Sequence, residues 1–228
     1  MRILQLILTL LLLTTTFYCV AESRCFGTTA DGRLEAGVNL PVSGENFEPY
    51  SRIARAFGRT YVHSEVNSIF VDAYKKLASN APKKRFMYAE SGNEMGGEFY
   101  PHKTHQNGLS VDFMVPVVNE KGESVYLPTN LFNKFGYDLE FSETGDLDGY
   151  QIDFEAMALH IQQLHLSAKA RGVDLWRVIF DPVLQPYLFE TSVSRYLKEN
   201  VEFSKKRSWV RHDEHYHVDF EVQCEEAS

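Results

Sequence analysis

The sequence predicts one α+β domain in which a small central antiparallel sheet is flanked by helices. Two stretches carry apolar residues at helical spacing, and two others alternate apolar and polar residues as strands do. No repeat, low-complexity tract or linker divides them. At 228 residues the chain is long enough for one sizeable core, and 44% hydrophobic with 24% charged residues is an ordinary globular composition.

Residues 22–62 are rich in Gly, Pro and Asn and hold no long periodic run, which predicts coil and short strands. Ser64 is the expected cap of a first helix in which Val66, Ile69, Phe70, Ala73 and Leu77 share a face. Pro82 ends it. RFMYA, residues 85–89, reads as a short strand. The SGNEMGGEF that follows cannot form regular structure cheaply, so it is a loop running into the next segment. From Leu109 the alternation is strict: Leu109, Val111, Phe113 and Val115 face one side, Ser110, Asp112 and Met114 the other. Residues 119–149 are polar and turn-rich, an excursion over the surface. A second helix carries Phe154, Met157, Ile161, Leu164 and Ala168 on one face, with Gly172 as its stop. RVIF is a buried strand, and Asp181-Pro182 starts another short helix. In the last strand, HYHVDFEV, Tyr216, Val218, Phe220 and Val222 alternate with His215, His217, Asp219 and Glu221.

The formal charge of −8 argues against nucleic acid as a partner, because phosphate recognition needs a basic face. The N-terminus, MRILQLILTLLLLTTTFYCVA, has the layout of a secretory signal peptide, residues 1–21, with cleavage after Ala21 and no stable membrane insertion afterwards. A membrane anchor is the alternative, but the Thr-interrupted apolar run is shorter than a span of about 20 residues. Acylation of Cys19 would require small residues where Phe17 and Tyr18 stand. Cleavage leaves Cys25 and Cys224 in the domain of residues 22–228, and two cysteines in an exported chain suggest one disulfide rather than two free thiols.

Five of the chain's eight histidines fall in two short segments, PHKTHQNGLSVD and RHDEHYHVDFEV. A strand has period two, so His215 and His217 project from one face while the apolar set enters the core. If the Leu109 strand is a neighbour of this one, Asp112 converges with them, and His105 can join from around the Asn107-Gly108 turn. Two imidazoles and one carboxylate are the ligand set of a catalytic zinc that keeps a position for water, and the spare histidines then serve as proton carriers. His63, His160 and His165 stand apart. His160 and His165 lie beside the apolar face of the second helix and read as packing residues.

HKTHQNGLSVD and WVRHDEHYHV resemble the signatures of the penicillin-insensitive murein endopeptidases, within the wider lysostaphin, D-Ala-D-Ala peptidase and hedgehog fold group. The Gly-rich approach ending MGGEF, the helix before RVIFDP and Cys224 fall in the expected order, so the likeness covers roughly residues 25–225. It implies that His105, Asp112 and His217 hold Zn2+, and that His215 and His212 handle the water and the developing oxyanion. His102 matches a further motif histidine, a peripheral metal contact. A second metal position is not carried over, because FSETGDLDGYQID holds no histidine. Glu214 and His217 form E-x-x-H, the acid/base spacing of related D-Ala-D-Ala peptidases. On an extended strand Glu214 faces away from His217, which favours His215 as the base.

The function implied is zinc-dependent hydrolysis of peptidoglycan in the periplasm, at the D-alanyl to meso-diaminopimelate peptide cross-links, with the Gly-rich loop's backbone lying along the extended peptide. Two other classes remain open: a zinc D-Ala-D-Ala carboxypeptidase or dipeptidase, with Arg207 or Arg211 anchoring the terminal carboxylate, and a non-catalytic periplasmic zinc-binding or wall-binding protein. The sequence does not set the oligomeric state.

Overall fold

The computed structural model describes residues 22–208 and 210–226, so the expected signal segment, residues 1–21, lies outside the described residues. The Gly- and Pro-rich beginning folds as short strands, β1 (Arg24–Gly27), β2 (Gly32–Glu35), β3 (Val38–Asn39), β4 (Phe47–Pro49) and β5 (Tyr61–Val62), with one brief helix, α1 (Arg52–Ala56). The first long helix is α2 (Ser64–Asn80), and its predicted apolar positions Val66, Ile69, Phe70, Ala73 and Leu77 are all buried, joined by Tyr74. Its cap is His63 rather than Ser64: the His63 Nδ1 accepts the Glu65 N–H. Ser64 is drawn away because its hydroxyl and N–H exchange hydrogen bonds with Ser23.

Strands β6 (Phe86–Tyr88) and β7 (Ser110–Met114) follow, then the excursion with β8 (Val117–Asn119), β9 (Ser124–Val125), β10 (Asp146–Leu147) and β11 (Tyr150–Ile152). Helix α3 (Phe154–Lys169) is capped by Asp153, and Gly172 takes the left-handed conformation expected of a stop. The chain then runs through β12 (Asp174–Ile179), α4 (Gln185–Leu188), α5 (Ser194–Asn200) and β13 (His215–Glu221). The five-stranded central sheet has the order β12-β13-β7-β6-β4. It is antiparallel except that β4 pairs with β6 in parallel. The long stretch between those two strands, carrying α1 and α2, is a crossover that lets them run the same way.

One face of the sheet packs on α2 and α3, which lie against each other. Phe113 stacks on Phe70 and on Tyr216, at 6.2 and 5.5 Å between ring centres. Each such buried ring contributes about 2 kcal/mol by leaving water. His160 belongs to this core, with its ring beside Tyr74 and Phe86 and its Nδ1 hydrogen-bonded to the Tyr216 hydroxyl. His165 bonds Tyr196 and Asp174, so both helix histidines are packing residues.

A disulfide joins Cys25 to Cys224 across 199 residues. It is flanked by backbone bonds from Gly27 to Glu225 and from Glu225 to Cys25. The loop-entropy model gives about 5 kcal/mol for a closure this long. No helix among the described residues is long and apolar enough to cross a membrane.

Burial lowers the pKa of His160 from 6.5 to about 3. The folded state keeps this ring neutral, whereas the unfolded chain protonates it near its ordinary value. Its contribution to stability is therefore full above about pH 6.5 and is lost progressively as the pH falls toward about 3. Urea unfolding between pH 7 and 4 should show this slope, and His160→Gln should reduce it by up to about 1.4 kcal/mol per pH unit. An unchanged slope in the variant would assign the acid sensitivity to other groups.

Candidate active site

Strands β7 and β13 are neighbours, with Asp112 directly across from His217 and Met114 across from His215. Period-two geometry therefore places the polar positions of both strands on one surface, opposite the helices. This surface is the floor of a cleft of about 690 Å³, lined among others by His102, Asp112, Tyr137, His212, Glu214, His215 and His217.

His105 is brought in by the preceding loop, where it adopts a left-handed backbone with φ 71°. Its Nδ1–H donates to the Ser91 carbonyl at 3.1 Å, which leaves the lone pair on Nε2. That nitrogen is buried and has no hydrogen-bond partner. It lies 3.3 Å from Asp112 Oδ1. The Gly-rich loop supports His105 from behind. Gly96 has φ 67°, and a Cβ there would sit 2.1 Å from the Gln106 carbonyl oxygen, while Gly97 N–H bonds that same oxygen at 2.8 Å. None of residues 92–98 lines the cleft. The glycines thus permit close backbone approach between this loop and the segment that carries His105.

His217 is held between two carboxylates, Nδ1 at 2.9 Å from Asp112 Oδ1 and Nε2 at 2.8 Å from Asp219 Oδ1. Burial works against its charged form, but Asp219 and Asp112 outweigh it and raise the pKa to about 10. Burial would likewise raise Asp112, yet His105 and His215 beside it hold the carboxyl well below the usual range. The second oxygen of Asp112 accepts the Tyr137 hydroxyl at 3.0 Å. His102 stands on the same side, with Nδ1 3.7 Å from Asp112 Oδ2 and Nε2 2.6 Å from Glu90. Ligand atoms of His102, His105 and Asp112 lie within 4.8 Å of one another, a group that could hold a metal ion. His102 thus stands in the cluster itself.

His215 and His212 lie next to each other, 4.5 Å between ring centres. His215 Nδ1 is 2.8 Å from Glu214 Oε1, and its Nε2 is 3.9 Å from Asp112 Oδ2. Burial lowers His215 to about 4 and raises Glu214 to about 8. His212 donates Nδ1–H to the Val210 carbonyl, and burial together with His215 brings it to about 3. Glu214 does not face away as strand parity predicts. It sits in the bend just before β13, where alternation does not apply, and lines the cleft.

The excursion is more than surface. Phe141 N–H is anchored on the buried Asp213, and Tyr137 and Phe135 form part of the cleft wall. Arg211 lines the cleft but is enclosed by Asp181, Asp213 and the Phe141 carbonyl. Arg207 is exposed and does not line it. Neither is placed as a free carboxylate anchor. Tyr137, Glu90, Arg177 and Asp219 are the residues the sequence did not single out for the site, although the parity of HYHVDFEV already put Asp219 on its face.

A histidine–carboxylate cluster at the base of an open cleft suits a hydrolase, and over residues 25–228 the chain matches a family of peptidases that act on the cell wall. The chain belongs to the penicillin-insensitive murein endopeptidase family. No curated protein matches it. Family membership makes it a peptidoglycan hydrolase, consistent with the resemblance carried by its two histidine motifs.

Glu90 connects this site to the body of the protein. It accepts from Tyr50, from both Nε and Nη2 of Arg59, and from His102. Burial opposes its charge, but the Arg59 and His102 hydrogen bonds bring its pKa to about 2. Replacing it by Ala leaves a half-buried guanidinium without its partner, and Glu90→Ala should lose about 3 kcal/mol in urea unfolding. A midpoint equal to that of the wild type would show that this network adds nothing to stability.

Proposed function

We propose that the protein is an exported, zinc-dependent D,D-endopeptidase that cuts D-alanyl–meso-diaminopimelate cross-links of peptidoglycan in the periplasm. The observation that carries the reading is the convergence at Asp112 Oδ1. The Nε2 of His105 and the Nδ1 of His217 both point there, and each ring has its other nitrogen fixed, by the Ser91 carbonyl and by Asp219. An imidazole whose far nitrogen donates to a carbonyl or carboxylate is the usual form of a metal ligand. The orphaned His105 Nε2 is a buried lone pair that a cation would satisfy.

His105, Asp112 and His217 would therefore hold the metal, with His102 close enough on the Asp112 side to join them. Zinc bound there would supply Lewis acidity for the scissile carbonyl and make water acidic enough to attack near neutral pH. His215 and Glu214 form the proton-handling pair. Their contact at 2.8 Å orients the His215 ring so that Nε2 faces the cleft side of Asp112. The pair can accept the proton of the attacking water and return it to the leaving amine. In its neutral form His212 presents Nε2 as an acceptor, so it donates to a developing oxyanion only after taking up a proton.

Purified protein should convert cross-linked muropeptide dimers to monomers, stop with chelator and ignore penicillin. Ala at His105, Asp112 or His217 should remove the zinc, measured as metal content. His215→Ala should keep the zinc and lose about 10²- to 10⁴-fold in turnover. Release of D-alanine from uncross-linked pentapeptides with dimers left intact would make the enzyme a carboxypeptidase. Bound zinc with no turnover on either would leave the non-catalytic reading.

A further inference from the structure

Three arginines line the cleft, Arg59, Arg177 and Arg211, and in two of them both the Nε and one Nη group are held by acidic or carbonyl oxygens. Arg59 is spent on Glu90 and the Tyr100 carbonyl. Arg211 is enclosed by its acidic neighbours, as described above. Arg177 differs. Its Nε donates to Asp219 Oδ2 at 2.6 Å, and among the described residues its two Nη groups make no hydrogen bond. Its Cζ lies 4.3 Å from the ring centre of Trp176, and its side chain is 30% exposed.

A bulge puts it there. In the β12–β13 ladder Leu175 opposes Phe220 and Arg177 opposes Asp219, so Trp176 is an extra residue with no partner. In a regular strand with Trp176 paired in the ladder, Arg177 would share the core-facing side of Leu175, since residues two apart on a strand face the same way. With the bulge, Leu175 stays in the core while Arg177 turns to the side of His217. Asp219 then fixes the guanidinium relative to the site, because its other oxygen accepts from His217 Nε2. Asp219 is fully buried and also takes the Ser110 hydroxyl, so this link is rigid.

A guanidinium held by one edge, stacked on an indole and open along its remaining N–H groups is shaped for a planar anion. A carboxylate fits that fork. We propose that Arg177 is a specificity residue that binds a carboxylate carried by the residue next to the amide being cut, an inference that rests on the endopeptidase reading. Asp219, its cross-strand neighbour, is two residues along β13 from His217, a separation of about 7 Å. An anion gripped there lies within about one residue of a bond poised over His217. In the proposed cross-link, the meso-diaminopimelyl residue bears a free carboxylate on the carbon that carries the scissile nitrogen. A chain-terminal carboxylate has the same chemistry, and the substrates can separate the two.

The test uses three cross-linked dimers: one with all carboxylates free, one amidated at the carboxylate beside the scissile nitrogen, and one amidated only at the chain termini. The wild-type protein should cut the second about 10- to 100-fold less efficiently in kcat/KM than the first, the worth of one charge-assisted bidentate contact. It should cut the third like the first. Arg177→Gln should bring the first two dimers to the same kcat/KM, and Arg177→Lys should restore part of the difference. Zinc content of each variant shows whether Asp219 still orients His217, and the wild-type comparison stands even if a variant loses metal. Equal wild-type rates on the first two dimers, or a preference that survives Arg177→Gln, would overturn the subsite while leaving the endopeptidase activity intact. A protein that cuts none of the three sinks that activity, and the subsite with it.

Discussion

Between β7 and β13 the carboxylate of Asp112 faces the ring of His217, and both side chains are almost wholly buried at the floor of the cleft. Moving a carboxylate from water into a protein interior costs several kcal/mol, and the cost is met only when every lone pair finds a partner. Much of the local architecture supplies those partners. One oxygen looks toward His105 and His217, and the other takes the Tyr137 hydroxyl with His102 close by. These groups come from the His loop, the excursion and the last strand. Three segments far apart in sequence are thus bound to one buried charge.

The surrounding side chains limit how far any of these rings can turn. Ser91, Glu90, Glu214 and Asp219 each engage one nitrogen of a histidine, and of these Glu90 and Asp219 bring a negative charge, while burial favours the neutral form of Glu214. Such supports fix both the tautomer and the orientation of an imidazole. They also explain why the polar face of β13 is nearly as buried as its apolar face. A sheet surface that looks amphipathic in sequence is covered on both sides.

The parts of this arrangement that follow a local period were readable in advance. The spacing of Val66 to Leu77 and of Phe154 to Ala168 marked the two long helices, and the alternation around Asp112 and His217 marked the strands that meet at the site. What escaped reading depends on tertiary context. Ser64 looked like a cap until Ser23 claimed it. Glu214 lies one residue outside the strand, so parity misplaced it. Tyr137 sits in a turn-rich stretch with no motif, and only the fold brings its hydroxyl to Asp112. Arg177 was hidden by the bulge at Trp176, because an extra residue reverses facing without leaving a mark on hydropathy. The parallel pairing of β4 with β6 depends on how the chain crosses over between them.

The sheet order has a kinetic meaning. Strand β13 is the last of the five along the chain, yet it lies inside the sheet, between β12 and β7. Until it arrives, each of those two neighbours lacks its sheet partner on that side. Contacts so distant in sequence form late, because much of the chain must be gathered before they bring any reward. The same strand carries His215 and His217, so closing the sheet and assembling the cleft floor are one event. A chain with its helices packed but β13 still undocked would lack His215 and His217 at the cleft and be inert toward peptide bonds, so the strand that completes the core also completes the cutting site.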